Sequence, residues 1–595
     1  MTKEAARPSR KKPALKKVEA RGAPSVVNAT SDKERSCTDA ANNKIWLKEY
    51  PPSVPAVIDI SKSGSISDMI GASCRKFADS PAFYCMGKNL SYRELDTHSR
   101  ALAGWLQSRG LVKGDRVAIM LPNILHYPVA IYATLRAGLV VVNVNPLYTA
   151  RELEQQLIDS GAKALIVLEN FAATVQKALP AVNVPNIIVA SMGDMHGLKG
   201  HVINLAVRKI KKLVPNWNIP GHIRFKDALA QGRAVSFNPV PVDSNDIAFL
   251  QYTGGTTGTS KGAMLTHSNI LANMEQMRLW LDVAFEIKGR PQALNMICAL
   301  PLYHIFALTV NAMIGIRIGA RNILIPNPRD IPALVKELKK YPFHIFPGLN
   351  TLFNALINNK EFTELDFKSL VLTVGGGMAI QRPVAERWAQ ITGCNITEGY
   401  GLSETSPVIS ANPLDKAEFN GTIGLPMPST EIAIRDDDGN DLPLGEIGEI
   451  CVRGPQVMPG YWNRPEETAR TIMADGFFRT GDMGFMDERG YTKIVDRKKD
   501  MIIVSGFNVY PNEIEEVVSE HPGIVESAAI GIASEHSGEV VKLFVVRRDP
   551  NLTVEEIKAF CAERLTNYKR PREIEFRDSL PKTNVGKILR RELRS

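Results

Sequence analysis

The chain of 595 residues is too long for one ordinary domain, and its 44% hydrophobic and 23% charged content is that of a soluble globular protein. The net charge of +9 is uneven, with ten Lys and Arg side chains in residues 1–40. No apolar run reaches the roughly eighteen residues of a membrane span, and seven scattered cysteines without a C-x-x-C argue for a reducing cytosol with neither disulfides nor zinc.

Residues 1–43 read as a basic disordered tail, poor in apolar side chains. Such a tail can attract anions, but nothing in the chain resembles a DNA- or RNA-reading module, so no nucleic-acid partner is expected. Folded sequence begins near Lys44-Ile45-Trp46-Leu47. Ile66 to Ala78 reads as a helix and Ala82 to Leu90 as strand, turn and strand. Ser91 with Glu94, and Thr149 with Glu152, are capping boxes; Gly110 and Gly161 stop the helices they open. Strands are expected at Arg116–Leu121, Leu139–Asn143 and Ala164–Leu168. Strands and helices in alternation give a mostly parallel, helix-covered sheet.

Residues 195–225 break that rhythm. Val202 to Val214 carries apolar residues at helical spacing beside Arg208, Lys209, Lys211 and Lys212. Such a helix either lies on an anionic membrane surface or packs on the domain with a solvated basic face.

A strand from Asp246 to Gln251 leads into Tyr252-Thr253-Gly254-Gly255-Thr256-Thr257-Gly258-Thr259-Ser260-Lys261-Gly262-Ala263, and a helix opens near His267. Four glycines let backbone N–H groups converge, four threonines and a serine add hydroxyls, and Lys261 adds charge. That set suits a polyphosphate. The spacing is not the Walker type. As composition alone it is a Gly/Ser/Thr linker, but linkers seldom join a buried strand to a helix.

Further signals follow in order. Pro301-Leu302-Tyr303-His304-Ile305-Phe306-Ala307 is a turn bearing a histidine. Val371 to Gly377 is a strand running into Gly375, Gly376 and Gly377. Gly399-Tyr400-Gly401-Leu402-Ser403-Glu404 sets a carboxylate after glycines. Phe478-Arg479-Thr480-Gly481-Asp482 reads as an Asp-bearing turn before a strand at Gly484–Met486. Asp496-Arg497-Lys498-Lys499-Asp500 is a charged linker, and a small α+β segment follows. In that segment Ser505-Gly506-Phe507-Asn508 is a turn and Pro511 opens a helix. The chain ends in Pro581-Lys582-Thr583-Asn584-Val585-Gly586-Lys587 and a basic run.

YTGGTTGTSKGA resembles the phosphate-binding signature of the adenylate-forming enzymes: acyl-CoA synthetases, firefly-type luciferases and peptide-synthetase adenylation domains. PLYHIFA, GYGLSET, FRTGD, DRKKD and PKTNVGK resemble that family's later motifs, with Ser403 where Thr is usual. NVNPLYTARELE, LPLYHIFALT and DRKKDMIIVSGFNVYPNEIE look most like the bacterial long-chain fatty-acid–CoA ligases. The resemblance spans residues 44–595.

It implies an α/β fold: a large N-terminal domain of packed, helix-covered sheets (44–496) and a small mobile C-terminal α+β domain (497–595). It implies ATP and CoA as cosubstrates, Mg²⁺ as cofactor and a fatty acid as substrate. By resemblance Thr256 and Glu404 hold Mg²⁺, and Tyr252, Thr253, Gly254, Gly255, Thr257, Gly258 and Lys261 serve the phosphates. Gly375, Gly376, Gly377, Tyr400, Gly401 and Ser403 flank the adenine; Asp482 and Arg497 meet the ribose. Lys587 is the catalytic lysine, His304 lies beside the substrate carboxylate or gates the acyl tunnel, Lys499 is the hinge, and the Gly506 turn meets CoA. Rival readings are a medium-chain or aryl acid–CoA ligase, a fatty acyl-AMP ligase, or an inactive lipid-binding relative. A peptide-synthetase domain would place an acid near PLYHIFAL, and none is there. A cytoplasmic place is expected, with peripheral contact at the inner membrane face and a homodimer both left open.

Overall fold

The computed structural model describes residues 44–61, 63–253, 260–416, 419–534, 537–583 and 586–594. The tail expected at 1–43 and the phosphate and Mg²⁺ contacts expected of Gly254, Gly255, Thr256, Thr257 and Gly258 lie outside them.

Four sheets form among the described residues. The first has seven strands, ordered Ile223–Arg224, Asn186–Ala190, Ala164–Leu168, Arg116–Met120, Val140–Asn143, Ile247–Thr253 and Lys261–Thr266. All neighbours run parallel except the last pair. Ala164–Leu168 is buried at every position, as its unbroken apolar sequence requires of a strand covered on both faces. Both capping boxes are formed: Ser91 with Glu94, and Thr149 with Glu152.

The second sheet has nine strands and a parallel centre. Ile345–Gly348, Leu372–Gly375 and Ile396–Gly401 lie side by side, with Gly348 level with Gly375 and Gly375 level with Glu398. Their carboxyl ends therefore finish together, where ligand crevices of α/β sheets form. Behind this edge Trp388 is wholly buried, with its ring centroid 4.7 Å from Phe353 and 5.4 Å from Phe362. Truncating it to Ala would cost about 3–5 kcal/mol.

An antiparallel sheet of Glu431–Arg435, Gly448–Arg453, Phe478–Met486 and Thr492–Arg497 comes next. The C-terminal sheet has its own core, built from Ile502, Val509, Ile514, Leu543 and Ile557 among others. Pro511 opens a helix that ends at Ser519.

Three expectations change. Phe478–Met486 is one strand, so Asp482 sits inside a sheet and not on a turn. Register shifts interrupt its pairing on both sides, and Gly481, at φ +72°, sits within it. Asp496 and Arg497 close the strand Thr492–Arg497, and Asp496 is fully buried, so the charged linker begins inside a sheet. The helix read at Val202–Val214 instead runs Lys199–Leu205, widens to a π turn over Ala206–Ile210, and ends before Lys212 at φ +51°.

Candidate active site

One cleft of about 2140 Å³ gathers nearly every described residue that the motifs pointed to. Its lining includes Tyr252, Thr253, Lys261, His304, Gly375, Gly376, Gly377, Tyr400, Gly401, Ser403, Glu404, Asp482, Arg497, Lys499 and Lys587. Gly506 is not among them.

The ends of the glycine-rich segment are fixed by pairing of Thr253 with Lys261. Ser260 Oγ also donates to Thr253 O at 2.8 Å, which closes the neck. Lys261 forms an ion pair with Glu467, and its ammonium stands 5.5 Å from the Tyr461 ring centroid. That ammonium holds the Glu467 carboxyl below its ordinary value. Tyr252 donates its hydroxyl to Asp159 at 2.7 Å, and Arg464 donates to the other oxygen of Asp159, also at 2.7 Å.

Tyr461 links the two strongest motifs. Its backbone bridges Ala263 beside the lysine strand, and its hydroxyl donates to Glu404 Oε1 at 2.8 Å. Glu404 is only 8% exposed; burial raises its pKa, and the Tyr461 bond opposes that rise. A buried carboxylate in the cleft that Thr253 and Lys261 also line is the hard oxygen donor Mg²⁺ takes alongside phosphates, so Glu404 fits that ion. Among the described residues no group of three or more His, Cys, Asp and Glu side chains could hold a metal unaided.

Gly401 is required by packing. A Cβ there would lie 1.8 Å from Pro407 O. Tyr400 donates its hydroxyl to Asp482 Oδ2 at 2.6 Å, and Arg497 Nε approaches Asp482 Oδ1 at 3.2 Å. Asp482 and Arg497 also face each other across two neighbouring strands. The carboxylate chiefly raises the Arg497 pKa, and burial raises that of Tyr400. The expected ribose-side acceptor is thus oriented by two donors.

Lys587 enters this cleft from the C-terminal segment. A Cβ at Gly377 would be 3.6 Å from Lys587 Cε. Burial, then the Arg497 charge, pushes the Lys587 pKa down to about 8, while Asp482 and Glu404 pull it back up. His304 caps the short helix Ile305–Ala307, its Nδ1 accepting from Phe306 N at 3.3 Å. Burial and the Lys587 charge push the His304 pKa down to about 3, so the ring is neutral near pH 7. Lys499 is exposed at the cleft edge, its pKa lowered by partial desolvation and then by the Arg497 charge. Ser505 and Gly506, at φ +52° and +83°, make the tight turn between Ile502–Val504 and Phe507–Val509 and are exposed.

Three participants escaped the sequence reading. Tyr461 and Glu467 lie far along the chain from Lys261, and no spacing announces them. Glu398, two residues before Tyr400, looks like any strand carboxylate. Yet it lines the cleft, takes a 3.2 Å hydrogen bond from Ile380 N, and leaves Oε2 buried without a hydrogen-bond partner. The cleft lining also includes the apolar side chains of Met277, Trp280, Leu281, Val310, Ile314 and Met427.

Comparison with known proteins shows the family. The AMP-binding enzyme family matches residues 71–462, and the AMP-binding enzyme C-terminal domain matches residues 513–587. The chain is 54% identical over 553 residues to the long-chain-fatty-acid–CoA ligase of Escherichia coli O6:H1, covering 93% of this chain and 98% of that one. It is 32% identical over 510 residues to the feruloyl-CoA synthase of an Amycolatopsis species, covering 85% of this chain and 94% of that one. ATP-bound MatB from Rhodopseudomonas palustris superposes with a TM-score of 0.72 at 29% identity, covering 89% of this chain and 98% of that one. The chain therefore belongs to the AMP-binding, adenylate-forming enzyme family and is similar to its long-chain fatty-acid–CoA ligases.

Proposed function

We propose that the protein is a long-chain fatty acid–CoA ligase working through an acyl-adenylate. A carboxylate oxygen attacks the α-phosphorus of ATP, a new C(O)O–P bond forms, and pyrophosphate leaves. The CoA sulfur then attacks the acyl carbonyl, the bond to AMP breaks, and the thiol proton is released. The observation that carries this reading is the partly buried Lys587 beside Gly377, in the cleft that also holds Glu404 and Asp482.

The first step presses one anion against another, so charge stabilisation dominates. The Lys587 ammonium pairs with the substrate carboxylate and an α-phosphate oxygen. Lys261 and the N–H groups and hydroxyls of 254–259 serve the outer phosphates, and Asp482 accepts from the ribose hydroxyls. Mg²⁺, when bound by Glu404 and Thr256, supplies further positive charge to the phosphates. Losing one such donor commonly costs about a hundredfold in rate. His304, neutral and hydrogen-bonded at Nδ1, positions the substrate carboxylate and transfers no proton.

The apolar side chains lining the cleft suit an aliphatic tail, which supports a long-chain acid. For the second step the segment from 497 onward turns about Lys499, withdraws Lys587, and brings the Gly506 turn to the pantetheine arm. The product thioester would enter β-oxidation. The cytoplasm is the proposed location, supported by the six cysteines among the described residues, all buried and free of disulfides.

The deciding experiment offers carboxylates from acetate to oleate with ATP, Mg²⁺ and CoA, and follows AMP and thioester. Rates should rise toward the long-chain acids. Absence of pyrophosphate release with every acid would end the proposal.

A further inference from the structure

A surface helix ordinarily buries its apolar stripe and shows its polar one. The helix Lys199–Leu205 and the π turn Ala206–Ile210 do the reverse. Their inward positions are Gly200, Asn204, Val207 and Arg208. Gly200 packs so tightly on Gly193 that a Cβ would lie 2.0 Å from its carbonyl oxygen. Asn204 Oδ1 accepts from Gly193 N at 2.7 Å. Arg208 donates to both oxygens of the buried Glu169 at 2.8–3.1 Å and to Ser191 Oγ at 2.8 Å. Asn170 Nδ2 holds the end of the segment through Leu213 O at 3.1 Å. Polar bonds thus moor this segment to the domain.

Five large apolar side chains of this stretch face outward, while Val207 is buried and Ile203 half-buried. Leu198 is 89% exposed, Val202 68%, Leu205 57%, Ile210 76% and Leu213 54%. The spacing 198, 202, 205 places the first three along one stripe. Lys199, Lys209, Lys211 and Lys212 stand exposed among them. No Asp or Glu occurs between Asp194 and Asp227, a stretch with seven Lys and Arg.

We propose that the Leu198–Leu213 face docks the enzyme on an anionic lipid bilayer. Exposed apolar side chains ringed by lysines match an interfacial segment lying roughly 5–10 Å into the headgroup region. A second copy meeting this face on itself would set lysine against lysine. Arg208 is no part of the lipid contact, because Glu169 and Ser191 hold it. Lipid docking does not depend on the ligase reading, and a binding assay is blind to catalysis.

The full chain is sedimented with vesicles of equal parts phosphatidylglycerol and phosphatidylcholine, and with phosphatidylcholine alone. Two variants are compared: Leu198→Ser/Val202→Ser/Leu205→Ser/Ile210→Ser, and Lys199→Gln/Lys209→Gln/Lys211→Gln/Lys212→Gln. Both keep the basic N-terminal residues. Wild-type protein should prefer the anionic vesicles, and each variant should lose about tenfold or more in partitioning. Salt should weaken the wild type much more than the lysine variant. Pyrophosphate exchange with octanoate, a soluble acid, should be equal in all three and so report intact folding. Equal vesicle binding by wild type and both variants would overturn the proposal, as would no binding at all. Dissociation of a dimer by the serine variant with unchanged vesicle binding would assign the face to a second copy instead.

Discussion

Lys587 packs along Gly377, with 3.6 Å between Lys587 Cε and the place a Cβ would take on the glycine. Gly377 has φ +78°, and that same Cβ would stand 3.1 Å from Leu349. Gly377→Ala should strain the turn by about 1–2 kcal/mol and, through the tight contact with Leu349, shift the wall against which Lys587 packs. Adenylation, read by ATP–pyrophosphate exchange, should slow by about tenfold or more. An unchanged rate would show that the ammonium does not need this wall.

The Lys587 ammonium titrates near pH 8 because burial and Arg497 disfavour its charge. Only the charged form can neutralise the reacting anions. The kcat/KM of pyrophosphate exchange should therefore fall as pH rises through about 8, by about one decade per unit. Leaving CoA out of the assay keeps its own thiol from titrating in the same range. Bound ATP should raise the pKa, so the kcat profile should bend at higher pH. Coincident limbs in the two profiles would contradict this.

Removal of that charge should separate the half-reactions. Lys587→Ala should lower adenylation about a hundredfold or more, yet largely spare thioester formation from supplied acyl-adenylate. Equal loss in both would refute a role confined to the first step.

Lys499 follows a strand that ends at Arg497, and the next strand begins at Ile502. A pivot there must accept a large backbone change. Lys499→Pro fixes one dihedral and restricts the residue before it. Thioester formation should suffer several-fold more than adenylation. Equal effects would place the hinge elsewhere.

These residues differ in how openly the chain declares them. Capping boxes and strands such as Ala164–Leu168 are local, so neighbouring side chains announce them. Motif residues are legible because their chemistry is packed into short signatures. Lys261 with Glu467 and Glu404 with Tyr461 are pairings between distant segments, and only the fold sets them. The helix at 199–205 stayed ambiguous for a related reason: periodicity gives an apolar stripe but not the side it faces. Asn204 and Arg208 decided that by bonding inward.

Glu398 supplies a test in stability. Burial pushes its pKa from 4.5 up to about 8, with Glu516 adding to the rise while Ile380 N–H and Lys493 oppose it. Between those two values the folded chain keeps a proton that the unfolded chain has released. Stability must then fall as pH climbs through that window. Glutamine has the shape of the protonated acid and does not titrate. The Glu398→Gln variant should match wild type near pH 4.5 and gain on it steadily up to about pH 8, by on the order of a few kcal/mol. Thermal unfolding of both proteins across that range measures the gap. A gap that stays constant with pH would mean that Glu398 is ionised in the native cleft and that its buried oxygen has found a cation.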